Sequence, residues 1–263
     1  MKAIVGVGYM KHCLAGLAIF AKLKFPNSEA VLVHTVEPVL PDGGFMPASA
    51  TSPIAEIQRQ RQEDGEARMA EVAKDLEAKG IPSRSVTAFG HPSHEITEIA
   101  RSEDADMVIA GSDKKGALES FIMGSVTRAL VSESQRSILV GKSKASQGEK
   151  VNAVLATDHS EYADRCVDRF VGLAPKGLGK VTVLFVDTSD PEVWLALEEE
   201  YPEPGVHEAH WHRKNNDLCA KLRPLCDSVE SKVVFGRAND SIDHAMEASG
   251  ADLLIIGAHG HGF

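Results

Sequence analysis

The chain of 263 residues lacks a basic excess: 28 Lys and Arg stand against 38 Asp and Glu, for a formal net charge of -10. That balance excludes a protein whose business is holding nucleic acid or an anionic membrane surface, since either task needs a basic face. Cysteine is scarce. Cys13, Cys166, Cys219 and Cys226 form no C-x-x-C pair and are too few for a disulfide scaffold, so the sequence reads as that of a reducing, cytoplasmic compartment. The opening "MKAIVGVGYMKHCLAG" is too short and too interrupted for a signal peptide or membrane span, and no later apolar run is long enough. Two catalytic signatures are missing as well: there is no G-x-S-x-G elbow and no G-x-x-x-x-G-K-[ST] phosphate loop.

With 43% hydrophobic and 25% charged residues, the chain can fill one large domain or two of average size. An internal repeat decides for two. "FGHPSHEITEIARSEDADMVIAGSDKKG" is echoed by "FGRANDSIDHAMEASGADLLIIGAHGHG", which sets Gly90 over Gly236, Ile96 over Ile242 and Gly111 over Gly257, each pair 146 positions apart. "AIVGVG" pairs with "AVLATD" and "VLVHTVEP" with "VTVLFVDT", placing Gly8 over Asp158 and Val36 over Val186 at an offset of 150. A repeat this long exceeds a solenoid unit, so each copy should be a domain with its own core. Residues 1–143 and 151–263 are the expected domains, joined at 144–150 by the end of the polar stretch "KSKASQGEK".

Within the first half, short β-branched runs ("AIVGV", "AVLVHTV", "SRSVTAF", "MVIAG", "SILVG") alternate with helical patterns, among them residues 14–24, 66–80 and 94–103. Continuous apolar strands separated by amphipathic helices predict a doubly wound α/β domain, a parallel sheet covered on both faces. Ligands of such sheets sit beyond the carboxyl ends of the strands, at the point where strand order reverses.

"GSDKKGALESFIMGSV" follows the strand "MVIAG". Gly124 and Ser125 open the helix "SVTRALVSE", with Ser125 a credible N-cap, and the first amides of a helix favour an anion. A phosphate cradle and a glycine-punctuated turn are both compatible with the stretch by itself. Its spacing resembles the universal stress protein family, whose fingerprint is G-x2-G-x9-G-[ST]. Gly111 and Gly124-Ser125 fall in register, and Lys114 takes the place of the second glycine. The resemblance extends through both halves, including the first strand, "HTVEP", and the "G-x-P-x-x-x-I" that leads into the third helix.

The resemblance implies two tandem Rossmann-like domains of the adenine nucleotide alpha hydrolase type, each with a five-stranded parallel sheet. It implies ATP or another adenine nucleotide as ligand, with Mg as an optional companion. Family members hold adenosine with an aspartate after strand one and a valine at the end of strand two, and hold phosphates with the glycines and Ser/Thr. Carried over, the first half offers Gly8, Thr35 and Lys114 at the aspartate, valine and second-glycine positions, alongside Gly111, Gly124, Ser125 and Val126. The overlay, by contrast, sets Val36 opposite Val186. The second half offers Asp158, Val186, Gly257 and Gly260, and then ends at Phe263 before a G-[ST] pair, a fourth helix and a fifth strand. The natural chain is therefore expected to continue, and the better-preserved nucleotide site is expected in the second half. The two halves would pack as an internal pseudo-dimer, with a homodimer as a further arrangement.

Two other function classes remain compatible with the residues. One is a signalling or scaffold protein that binds no nucleotide, in keeping with the losses in the first half. The other is an enzyme hydrolysing ATP weakly or transferring its adenylyl group, although no second acid or nucleophile is legible beside Asp158, so no catalytic residue is assigned. "VHEAHWH" puts His207, His210 and His212 close together, but Trp211 stands where H-E-x-x-H needs its second histidine. Exposed polar residues on a long helix or its leading loop account for it, and no metal ligand is assigned. Cys219 and Cys226, seven apart, suit one buried helical stripe.

Overall fold

The computed structural model describes residues 1–8, 13–38, 53–111, 124–141, 148–189 and 206–257. The chain divides into two compact units, Met1–Ala21 with Asn27–Ala145 and Lys22–Pro26 with Ser146–Phe263.

The first unit alternates strand and helix: β1 (Lys2–Gly6), α1 (Cys13–Leu23), β2 (Glu29–Val36), α2 (Pro53–Glu77), β3 (Ser83–Phe89), α3 (Pro92–Ser102), β4 (Met107–Gly111), α4 (Ser125–Glu133) and β5 (Ser137–Gly141). All pairings are parallel and the order is β3-β2-β1-β4-β5. Strand β1 is inaccessible from Ala3 to Val5, as an apolar run covered on both faces must be. Ile4, Val31, Val33 and Val108 pack under Ile96 and Ala100 of α3 and Leu130 of α4. Alternation sends Leu32 and His34 to the opposite face, beneath α2.

The second unit repeats this pattern with β6 (Val151–Thr157), α5 (Glu161–Gly172), β7 (Leu178–Asp187), α6 (Val206–Leu222), a 3-10 turn (Arg223–Leu225), β8 (Cys226–Phe235), α7 (Ala238–Ser249) and β9 (Leu253–Ile255). Its parallel order is β8-β7-β6-β9, four strands among the described residues. Val154 and Leu184 meet Ile242 and Ala245 of α7 on one face, while Phe185 meets Trp211 of α6 on the other. Strand β9 is half-buried throughout, whereas its counterpart β4 is buried from Met107 to Ala110.

Strand register settles the two alignments of the second strand. Phe89 and Phe235, matched by the repeat, pair with Val36 and Asp187. Val36 thus corresponds to Asp187, and Thr35 to Val186. The overlay of Val36 on Val186 is one residue out, because it slides "VLVHTV" over "VTVLFV" on β-branched content that tolerates either register.

Helix α2 begins at Pro53, well before the apolar pattern starts. Pro suits a first helical position. The exposed first half carries Arg59 paired with Glu56 and Glu63, and Gln60 with Asp64, the i+3 and i+4 contacts that support a solvated helix. The second half buries Gly65, Met69, Val72 and Leu76, one stripe at helical spacing. Gly65 lies against the ring of His34, and a Cβ there would overlap that ring. Alanine gains roughly 1 kcal/mol over glycine in an exposed helix, but forcing a methyl into a filled core costs roughly 1–3 kcal/mol. With His34 buried and held by the Val7 carbonyl at 2.9 Å, the clash wins. Gly65→Ala is expected to destabilise the first unit by about 1–2 kcal/mol in urea denaturation; a variant as stable as the parent would show that α2 shifts freely.

Cys219 and Cys226 do not share a helix. Cys219 is buried on α6, whereas Cys226 opens β8 after the turn at Pro224 and donates its thiol to the Leu222 carbonyl at 3.3 Å.

Candidate functional site

In each unit the strand order reverses beside the first strand, so β1 and β4, or β6 and β9, feed their connections to opposite faces and leave a crevice at their carboxyl ends. The expected site residues gather there. In the second unit Asp158 follows β6, Val186 is the penultimate residue of the neighbouring β7, and Gly257 lies two residues past β9. Asp158 is exposed, while Val186 is half-buried and packs its side chain toward α7.

The turn after β6 is built from consecutive side-chain captures of backbone amides. Thr157 Oγ1 accepts from His159 N at 3.0 Å, Asp158 Oδ1 accepts from Ser160 N at 3.0 Å, and Ser160 Oγ caps α5 by accepting from Ala163 N at 3.1 Å. His159 adopts a left-handed conformation, φ 54. Its Nε2 lies 2.9 Å from Asn215 Oδ1, and its ring stacks on Trp211, which in turn stacks on Phe185 with centroids 4.2 Å apart. Gly257 sits beside α5: a Cβ there would meet the Tyr162 ring at 3.4 Å, ordinary contact, and no positive φ demands glycine. Packing among the described residues does not call for a glycine at 257.

In the first unit Gly8 follows β1, and Gly111 ends β4. Thr127 Oγ1 donates to the Gly111 carbonyl at 2.8 Å, drawing the first turn of α4 to the end of β4 and uniting the two ends of the fingerprint. Ser125 is not the cap. Gly124 occupies that position in an extended conformation with no side-chain bond, and its carbonyl accepts from Arg128 N at 3.0 Å, so Ser125 is the exposed first helical residue. Val126 turns its side chain into the core, which leaves its backbone amide as the group able to meet an anion. Where Asp158 stands in the second unit, the first has Gly8, whose carbonyl accepts from Arg68 of α2 at 3.2 Å. Lys114 and Gly260, together with His259 and His261, lie outside the described residues.

The sequence reading missed Thr127, His159, Asn215 and the buried Asp187, whose Oδ1 accepts from Ser189 N at 2.9 Å. "DHS" before a helix carries an Asx-turn and cap signal; Asn215, inside the polar run "HRKNND", carries none. Among the histidines of "VHEAHWH", His210 is exposed and His212 approaches Ser231 Oγ at 3.3 Å. Among the described residues no group of three or more His, Cys, Asp and Glu is placed to hold a metal, and no helix is long and apolar enough to cross a membrane.

A tandem pair of parallel α/β units, each with a crevice at its strand-order reversal, defines the class. The family model described as "Universal stress protein family" matches residues 3–142 and again 152–263, and the chain belongs to that family. Universal stress protein MJ0577 of Methanocaldococcus jannaschii is 33% identical over 91 residues, 35% of this chain and 56% of that protein's length. The crystal structure of a universal stress protein from Archaeoglobus fulgidus superposes with a TM-score of 0.63 at 16% identity, covering 96% of this chain and 83% of its own, a likeness of fold. A universal stress protein family protein from Arabidopsis thaliana, solved with AMP bound, is 13% identical and covers 55% of this chain and 93% of its own at a TM-score of 0.40. A likeness at that level says nothing of what this chain binds.

Burial pushes the His159 imidazole below its ordinary value; the Asn215 bond, Asp164 and Asp158 oppose that shift and Lys214 adds to it. The folded unit therefore binds a proton at this site less readily than the unfolded chain does. Its contribution to stability is complete above about pH 6.5 and is lost as the pH falls through the unfolded and then the folded value. His159→Asn, which tolerates the left-handed φ, is expected to flatten the decline of thermal stability between about pH 7 and 5. An unchanged pH profile in that variant would assign the decline to other groups.

Proposed function

We propose that this tandem universal stress protein binds an adenine nucleotide in its second unit and serves as a regulatory binding protein. The observation that carries this reading is the convergence of Asp158, Val186 and Gly257 on the carboxyl ends of β6, β7 and β9 respectively, around the strand-order reversal. A carboxylate there can accept from ribose hydroxyls or an adenine amino group, the valine offers apolar surface to a base, and a backbone without a Cβ lets phosphate approach closely. Gly257 supports the last role, since neither a positive φ nor a clash with its described protein neighbours, Tyr162 and Ala163, requires glycine there. Gly260 belongs to the same assignment.

The first unit keeps the phosphate half of the fingerprint, in Gly111, Gly124, Ser125 and the Val126 amide, with Lys114 as an added cation, and has Gly8 where the adenosine-holding carboxylate would stand. It is read as a modified site with anion capacity and weak claim on adenosine. ATP is the favoured ligand, with Mg bound through its phosphates.

Calorimetric titration of the intact chain with AMP, ATP and ATP plus Mg tests the reading. Saturable binding is expected, and Asp158→Ala should raise the Kd for AMP at least about tenfold, the ~1.4 kcal/mol that one charge-assisted bond supplies. Equal affinity of parent and variant would remove Asp158 from the site.

A further inference from the structure

His159 carries a cost that the fold must offset. A residue with a Cβ is disfavoured at positive φ, and at position 159 such a residue separates the proposed adenosine-binding carboxylate from the cap of α5. What holds it is legible. Asn215 is fully buried, and its Nδ2 donates to the Lys232 carbonyl at 3.0 Å and the Val183 carbonyl at 3.4 Å. Two carbonyl partners fix the amide orientation, so Oδ1 must face the histidine and His159 Nε2 must carry the proton it donates. The ring is then closed in by Trp211 and Phe185, with ring centroids 5.8 and 5.4 Å away. Asn215 acts as a fixed post on α6, and His159 as the tether from the β6 turn to that post.

The first unit meets the same geometric demand with other residues. Arg68 of α2 holds the Gly8 carbonyl, and His34 of β2 holds the Val7 carbonyl. Both repeats tie the turn after their first strand to the elements beside it, yet only the second presents a carboxylate on that turn.

We infer that His159 and Asn215 are a positioning pair for Asp158: by anchoring the turn to α6 they keep the carboxylate at the mouth of the crevice, and they govern adenine nucleotide affinity without touching the ligand. This rests on the function proposed above. Asp158 Oδ1 is bound to Ser160 N in the same turn, so loosening residue 159 loosens both ends of that bond. Asp164, Lys214, Asp217 and Lys221 line the open cleft beside His159, and Lys221 is already paired with Asp168 at 2.6 Å.

The test has two arms, both on the full chain. In the ligand-free protein, amide exchange at Ser160 is measured by NMR in the parent and in His159→Gly, which relieves the left-handed strain while cutting the tether. Exchange is expected to accelerate by about tenfold or more at Ser160, with core amides such as Val154 unchanged. In the second arm, AMP affinity is measured for the parent, H159G, D158A and the double variant. H159G is expected to weaken AMP about tenfold in the parent background and to change nothing further in D158A, because the pair acts through that carboxylate. Unaltered Ser160 exchange, or an equal loss of affinity in both backgrounds, would overturn the inference. Equal AMP binding by parent and D158A would instead sink the nucleotide reading, and the pair would then stand or fall on Ser160 exchange alone. Should H159G not fold, His159→Asn takes its place, since asparagine accepts positive φ and is too short to reach Asn215.

Discussion

Both units depend on one constraint: the first strand is paired on both sides by parallel neighbours. β1 lies between β2 and β4, and β6 between β7 and β9. A parallel neighbour can be reached only by a crossover, and crossovers leaving on opposite sides of one strand part company at its carboxyl end. The crevice follows from that parting. The complete burial of Ala3–Val5 and of Val154 is the same constraint seen from the core, because a central strand covered on both faces has no wet side.

A crevice made by diverging backbone leaves amides and carbonyls to be satisfied, and the two units solve this differently. The second uses Thr157, Asp158 and Ser160 on their own turn and ties His159 to Asn215. The first uses Arg68 and His34 from neighbouring elements, which places a guanidinium where its twin places a carboxylate. One fold thereby presents opposite charges at equivalent mouths. That difference, more than the glycines, is what assigns adenosine to the second unit in the function proposed above, since Gly111 and Gly257 occupy equivalent positions in both.

Much of this was legible in the sequence. Strands β3, β4 and β5 and helix α4 run where their patterns place them: β4, buried from Met107 to Ala110, writes itself as a continuous apolar run, while the edge strands β3 and β5 are marked by their place between helical patterns. Helix α2 was half hidden, since its first three turns rest on charged pairs rather than on a buried stripe. The second strand could be slid by one residue because apolar and β-branched residues dominate both runs in either register; pairing with Phe89 and Phe235, and with Ala3 and Ala153 of the first strands, fixes it. Asn215 was beyond reach of any local pattern. It sits in a polar run and is wholly buried because two sheet carbonyls and a histidine from 56 residues away complete its bonding.

The central claim is that one unit of the pair holds the nucleotide. Denaturing the purified full chain and quantifying what it releases by mass spectrometry tests this most directly. The account predicts an adenine nucleotide at a single copy per chain, retained through purification and absent from the Asp158→Ala protein. Release of two copies per chain, or an undiminished yield from that variant, would contradict it.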